Sequence, residues 1–243
     1  MKVGVVYLKK IIILLLSLFL ISGCGKDDDT LVMVTEAGFA PYEYYENGEI
    51  VGADVDIAKE IAKKLGKELV VKDVAFDSII NEVKTGKADF GAAGISYSDE
   101  RAEKVDFTIN YTTSKQIVIV KEDSNITTND LDNLKIAVQL GSVGDSYVTK
   151  NYPNAEVVRQ KKYLAAIEDL KTSKVDCVVM DELPAKEILE ENSGLKILEN
   201  ELFTDTYGMI VKKGNKELLN AINEVLEELM KNGKIEEFII NHS

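Results

Sequence analysis

The strongest constraint on this chain is an internal recurrence. Residues 80–94, INEVKTGKADFGAAG, and residues 167–181, IEDLKTSKVDCVVMD, share one pattern at a constant offset of 87. Each runs through a helical stretch, a Lys-Thr-small-Lys turn, an acidic residue and a short apolar strand. That offset is too long for the units of a solenoid, which repeat every 20–50 residues or so, and suits two related lobes. It aligns Gly94 with Asp181, and both stand just past the carboxyl end of a strand, where open α/β sheets bind ligands.

Around the recurrence, apolar periodicity alternates between strand and helix. LVMVT reads as a strand, DVDIAKEIAKKLG as a helix closed by Gly66, KELVVKDV as a strand, FDSIINEVKTG as a helix and ADFGAAG as a strand. This alternation predicts α/β architecture with mostly parallel sheets joined by crossovers. Two extended segments, YTTSKQIVIVKED (111–123) and FTDTYGMIVKKGN (203–215), interrupt it and predict two crossings between lobes, a two-strand hinge. The second leads into a final helical pair. The expected division is a discontinuous first lobe, 31–110 with 207–243, and a second lobe, 111–206, that includes the hinge segments.

At 243 residues the chain is long enough for two such lobes. Its formal charge of −13 argues against nucleic acid and against a polyanionic membrane surface, since both need a basic footprint. Residues 1–23 read as a signal peptide: basic residues precede an apolar run from Ile11 to Ile21 that is short for a bilayer span. ISGC follows and resembles the lipobox of bacterial lipoproteins, which makes Cys24 the lipid anchor and 24–30 a solvated tether; a cleaved secretory signal with an incidental cysteine is the alternative. Cys177, in VDCVVMD, reads as an inert core residue. The single histidine, His242, is expected to fray at the C-terminus. With so few His and Cys, no metal site of those ligands and no cofactor is expected.

Arg101 is unusual because the 29 basic residues include only two arginines, Arg101 and Arg159. A guanidinium holds a carboxylate through two parallel hydrogen bonds, whereas an ammonium is a point charge. Spacing alone equally suits a surface arginine near a helix start, paired with Asp99 or Glu103. Asp181 reads locally as a helix N-cap before ELPAKEIL, and Ser142, after AVQLG, as the opening of a helix whose free amides favour an anion.

Four stretches, TEAGFAPYEYYENGEIVGADVDIAKEIAKKLG, FDSIINEVKTGKADFGAAGISYSDERAEKVDFTINY, LDNLKIAVQLGSVGD and KVDCVVMDELPA, together resemble the amino-acid-binding extracellular solute-binding proteins of bacterial ABC importers, from about residue 31 to 240. The resemblance implies a type II periplasmic-binding-protein fold: two α/β lobes, two hinge strands and a ligand cleft between them. It also implies that Arg101 holds a ligand α-carboxylate with backbone N–H groups at Ser96 and Ser142. Asp181, the Gly94 carbonyl and the Ser96 hydroxyl would take the α-ammonium, and Glu36, Phe39, Phe76 and Gln139 would line the side-chain pocket. Phe39 and Phe76 are equally readable as core. A carboxylate at Glu36 favours a basic or amide tip over an acidic one, leaving arginine, lysine, histidine, ornithine, glutamine and cystine open. The implied partners are a membrane ABC permease and the membrane itself through the lipid anchor, with the protein a monomer. Ala53 replaces the Phe usual in this family, Ser142 replaces Thr, and Trp is absent. Two other readings remain: a periplasmic cyclohexadienyl-dehydratase-like enzyme, with Glu36 and Asp181 as acid and base, and a sensing or adhesive surface lipoprotein. GISYS (94–98) fails the G-x-S-x-G pattern of serine hydrolases.

Overall fold

A computed structural model describes residues 29–243; the expected signal peptide and Cys24 lie outside them. In chain order the first half contains β1 (Thr30–Thr35), β2 (Tyr44–Glu46), β3 (Glu49–Val51), α1 (Ala53–Leu65), β4 (Glu68–Asp73), α2 (Ile79–Lys84), β5 (Phe90–Gly91), α3 (Asp99–Ala102) and β6 (Val105–Phe107). The second half continues through β7 (Thr112–Lys121), β8 (Lys135–Gln139), α4 (Val143–Asn151), β9 (Glu156–Gln160), α5 (Tyr163–Lys171) and β10 (Cys177–Asp181). It ends with α6 (Glu182–Glu191), β11 (Leu195–Ile197), β12 (Phe203–Tyr207), β13 (Ile210–Lys212), α7 (Lys216–Lys231) and α8 (Lys234–Asn241).

Two sheets organise these elements. One has the order β4-β1-β5-β13-β6; the other has the order β11-β7-β10-β8-β9, with β12 also paired to β7. Strands joined by helical crossovers are parallel, as in β1 with β5, β10 with β8 and β8 with β9. The strands that carry the chain between sheets lie antiparallel to their neighbours: β7 and β12 in one sheet, β13 in the other. The chain thus crosses twice, between β6 and β7 and between β12 and β13. The two crossings hydrogen-bond to each other, Tyr111 N–H donating to Tyr207 O at 2.9 Å and Thr108 N–H to Met209 O at 2.9 Å.

The recurrence in sequence is a recurrence in hydrogen bonding. Asp89 and Asp176 each accept from the start of the neighbouring parallel strand, Val32 N and Lys135 N, both at 2.8 Å. Before them, Thr85 and Thr172 bond back to the carbonyls of Asn81 and Glu168, both at 2.7 Å, closing α2 and α5 alike. Gly86 and Ser173 take the left-handed turn that follows, with φ of 77° and 59°. The apolar run ADFGAAG forms only the short β5, because Gly94 turns the backbone out of the sheet at φ 54°. A Cβ there would meet Phe39 Cε1 at 2.7 Å.

Helix α1 buries Val55, Ile57, Ala58, Ile61 and Ala62 on one face, the stripe that a helical period produces. Gly66 ends it in the left-handed conformation. It packs on α7 and α8, whose buried Leu219, Ile222, Val225, Leu226, Leu229 and Ile235 complete that core. His242 does not fray: its Nε2 lies 2.9 Å from Asp56 Oδ2 and its Nδ1 3.1 Å from the Tyr44 hydroxyl, which ties the end of the chain to α1 and to the β2–β3 hairpin. Cys177 is fully buried in β10, and burial pushes its thiol up to about 12, so it is inert.

One buried acid joins these parts. Asp54, in the first turn of α1, accepts from the Tyr111 hydroxyl at 2.6 Å and from Gly94 N–H at 3.3 Å, linking helix, crossing segment and turn. Burial pushes its carboxyl up to about 6, against the lowering effect of those hydrogen bonds. The unfolded value is near 4, so between about pH 4 and 6 the folded chain holds the proton more tightly. This contribution to stability is present at acid pH and lost as pH rises through 6. Asp54→Asn removes the titration, so the melting temperature of the variant relative to the parent should climb from about pH 4 to pH 6 and level off above about pH 7. A constant difference across that range would refute the assignment.

Candidate functional site

All nine side chains or backbones expected to meet a ligand line one cavity: Glu36, Phe39, Phe76, Gly94, Ser96, Arg101, Gln139, Ser142 and Asp181. They come from both sheets. Glu36 follows β1, Gly94 and Ser96 follow β5, and Arg101 stands on α3; Gln139 ends β8, Ser142 caps α4 and Asp181 ends β10. The cavity is about 10 Å³, room for one water. Small-molecule sites usually offer about 300–1,000 Å³, so a ligand enters only as the two walls part.

At one pole lies Arg101, 8% exposed. Its Nη1 donates to Ser96 O at 2.6 Å and its Nη2 to Gly141 O at 2.8 Å, so the fork touches loops of both sheets. The guanidinium sits over the Phe76 ring, 5.6 Å from the centroid. It does not pair with Asp99 or Glu103. No carboxylate lies within ion-pairing distance among the described residues, and burial pulls its pKa down, opposed most by the charge of Asp205. Ser98 positions it by capping α3, accepting from Arg101 N–H at 3.2 Å.

At the other pole Asp181 is buried and its side chain caps no helix, although its backbone occupies the N-cap position of α6. Its Oδ1 instead accepts from the Ser114 hydroxyl at 2.8 Å and from the Tyr207 hydroxyl. Burial raises its carboxyl above the usual range, those donors opposing the rise. Ser142 behaves as its position implies, its hydroxyl accepting from Asp145 N–H at 3.0 Å. Its own N–H donates to Gln139 O at 3.1 Å. The Ser96 hydroxyl donates to Asp205 Oδ2 at 2.5 Å.

The pocket end is acidic. Glu36 is 2% exposed; Gln139 Nε2 donates to its Oε2 at 3.1 Å. Burial raises its carboxyl, and the ammonium of Lys162, 2.9 Å from Oε1, opposes this. Phe39 belongs both to the wall and to the core, stacked between Tyr42 and Tyr163 with ring centroids 5.8 Å away in each case.

Four contributors escape sequence reasoning. Tyr163 and Glu43 line the cavity, and Asp205 and Lys162 hold residues that do. Glu43 is fully buried beside Asp54; burial, then the charge of Asp54, raises its carboxyl well above the usual range. Asp205 is pushed up to about 6 by burial and then by Asp181. Apart from the adjacent Lys162 and Tyr163, these residues lie far apart in sequence. The one local clue is FTDTYG, where Asp205 points inward from an otherwise edge-like strand.

The cavity is therefore a closed slot with a free cation at one end and carboxylates at the other two contacts, formed between α/β sheets. Comparison with known proteins agrees with this architecture. Residues 31–241 match the bacterial extracellular solute-binding proteins, family 3. The chain is 28% identical to the arginine-binding extracellular protein ArtP of Bacillus subtilis, over 90% of both chains. It is 34% identical to a probable histidine-binding protein of Campylobacter jejuni, over 84% of this chain and 81% of that one. Among solved structures it resembles the amino acid ABC transporter substrate-binding protein AbpA of Streptococcus pneumoniae bound to L-arginine, with a TM-score of 0.84, 34% identity, and 88% and 94% of the two chains covered. These relatives are named as binding proteins. No helix among the described residues is long and apolar enough to cross a membrane. With a family match across nearly all of the described chain, the protein belongs to the bacterial extracellular solute-binding proteins, family 3.

Proposed function

We propose that this protein binds a free amino acid with a basic or amide side chain in the cavity between its sheets and hands it to a membrane ABC permease. The observation that carries the reading is Arg101: a buried guanidinium without a counter-ion among the described residues, sharing a cavity with the buried carboxylate of Asp181. Burying either charge alone is costly. A zwitterion supplies the missing partner to both, its carboxylate to the Arg101 fork and its ammonium to Asp181 with the Gly94 carbonyl and Ser96 hydroxyl.

The α-carboxylate replaces the Ser96 and Gly141 carbonyls as the acceptor on Arg101, which are the weaker acceptors because they carry no formal charge. It lies by the first turn of α4, whose N-terminal amides favour an anion. The side chain of the ligand runs past Phe39 and Tyr163 toward Glu36 and Gln139. An acidic tip would face Glu36 in a dry site and is excluded by repulsion.

Residues 31–110 with 207–243 act as one lobe and 111–206 as the other, opening about the paired crossings near Tyr111 and Tyr207. The ligand selects the closed arrangement because only there do Arg101 and Asp181 contact it together, and a permease distinguishes loaded from empty protein by that shape. Acylation at Cys24 anchors the monomer to the outer face of the cell membrane through the short polar tether.

Arg101→Ala should weaken L-arginine binding by about 3–5 kcal/mol, the cost of stranding a buried charge, or about two to four decades of affinity. Titration calorimetry showing less than a threefold loss overturns the reading. Glu36→Gln should instead reorder preference among L-arginine, L-lysine, L-histidine and L-glutamine; the same ranking in a competition panel removes Glu36 from the pocket. For the anchor, Cys24→Ser should abolish incorporation of labelled palmitate in cells and release the protein from membranes, and label retained by the variant would exclude Cys24.

A further inference from the structure

Glu36 has a neighbour that faces the other way. Lys162, the residue before α5, is 46% exposed, yet its Nζ lies 2.9 Å from Oε1 of a carboxylate that is 2% exposed. It also lies 3.6 Å from Asp73 Oδ2. Lys162 lines a surface groove with Tyr45 and Leu164 and is absent from the wall of the binding cavity. It reaches Glu36 from the solvent side, and it crosses from the sheet of β8–β10 to the end of β1. Lys162 and Glu36 thus form an ion pair that closes the acidic end of the cavity from the solvent side.

We infer that Lys162 is a specificity-determining residue: an internal cation that competes for Glu36 with the cationic tip of a ligand. The inference rests on the amino-acid-binding reading above. With the ammonium in place, Glu36 is neutralised and suits an uncharged amide or ureido tip that only needs hydrogen bonds. A guanidinium or ammonium tip must share Glu36 with Lys162 or send it back to solvent. The exposure of Lys162 makes that return easy, since a half-exposed lysine regains its hydration. The residue therefore narrows the gap in affinity between charged and neutral side chains of the same shape, where an unmasked Glu36 would widen it.

L-Arginine and L-citrulline differ in charge at the tip and little in shape, so they read the effect directly. Lys162→Ala should raise the ratio of arginine to citrulline affinity about threefold to fivefold, the upper scale of one partly exposed ion pair. Lys162→Met, which keeps the stem, should do the same. In a Glu36→Gln background the shift should vanish, because Lys162 then has no charge to mask in the pocket. Calorimetry on the full chain, with melting curves to confirm that each variant is folded, gives the ratio for the parent and for each variant. A ratio unchanged or lowered by Lys162→Ala overturns the inference, as Lys162 would then only brace the closed form and both ligands would weaken together. A shift that persists with Gln at position 36 overturns it as well, since the route would not be Glu36. If the parent binds L-arginine through Arg101 but the ratio stays fixed, this inference alone fails; if the parent binds neither ligand, the amino-acid-binding reading fails and this one with it.

Discussion

Arg101 is the constraint on which the site depends. A guanidinium nine-tenths removed from water must be held by acceptors, and this one uses two backbone carbonyls on opposite sides of the cavity, Ser96 O and Gly141 O. Those bonds satisfy the donors without neutralising the charge. The rest of the site follows from keeping an uncompensated cation in place: a capped short helix fixes the arginine backbone, the Phe76 face lies beneath the guanidinium, and the carboxylates nearest in space are already committed. Asp205 is bonded to Ser96, and Asp181 to Ser114 and Tyr207.

Topology brings these groups together economically. Ligand-facing residues sit where parallel strands end, after β1, β5, β8 and β10, so two similar βαβ units facing each other supply both walls. The crossing strands then join the units through a pair of hydrogen-bonded segments beside the cavity. Tyr111 and Tyr207 lie at those crossings and bond Asp54 and Asp181 respectively, so the same residues that pass the chain between sheets also hold buried carboxylates. Each crossing is thereby tied to a buried carboxylate, and the second to Asp181 on the cavity wall.

Much of this is legible in the sequence because it is local. The recurrence at an offset of 87 reports real equivalences: Asp89 with Asp176, Thr85 with Thr172, and Lys87–Glu82 with Lys174–Asp169, whose Nζ to carboxylate distances are 2.9 Å and 3.0 Å. Periodicity marks α1 and its glycine stop. The β2–β3 hairpin carries its own signal in Asn47-Gly48, both with positive φ, the dipeptide that favours a two-residue turn. What stays hidden is long-range. Glu43 reads as one acid in an acidic stretch, and only folding places it against Asp54 in the first turn of α1. Lys162 is one lysine among many until the fold brings it to Glu36, and Asp205 carries only the weak local signal of FTDTYG. His242 misleads for the same reason, since its partners Asp56 and Tyr44 lie nearly a chain length away.

Charge counting links the buried groups to the class of ligand. Among the acids on the cavity wall, Glu43 lies against Asp54 and its proton affinity is raised well above the ordinary, so it contributes a hydrogen-bonding group more than a charge. That leaves Glu36 and Asp181 against Arg101, a single net negative charge on the wall, which a zwitterion with a cationic tip balances and one with an acidic tip would aggravate. The Lys162 ammonium, just outside the wall, cancels the same excess without entering it, and a zwitterion with a neutral amide tip then meets a balanced site. A closed, low-dielectric slot enforces such matching far more strictly than an open one, because each unmatched charge there has lost its water. On the proposed reading, the preference between basic and amide side chains is set by where one lysine rests, while the demand for an α-amino acid is set by Arg101 and Asp181, and the two can vary independently.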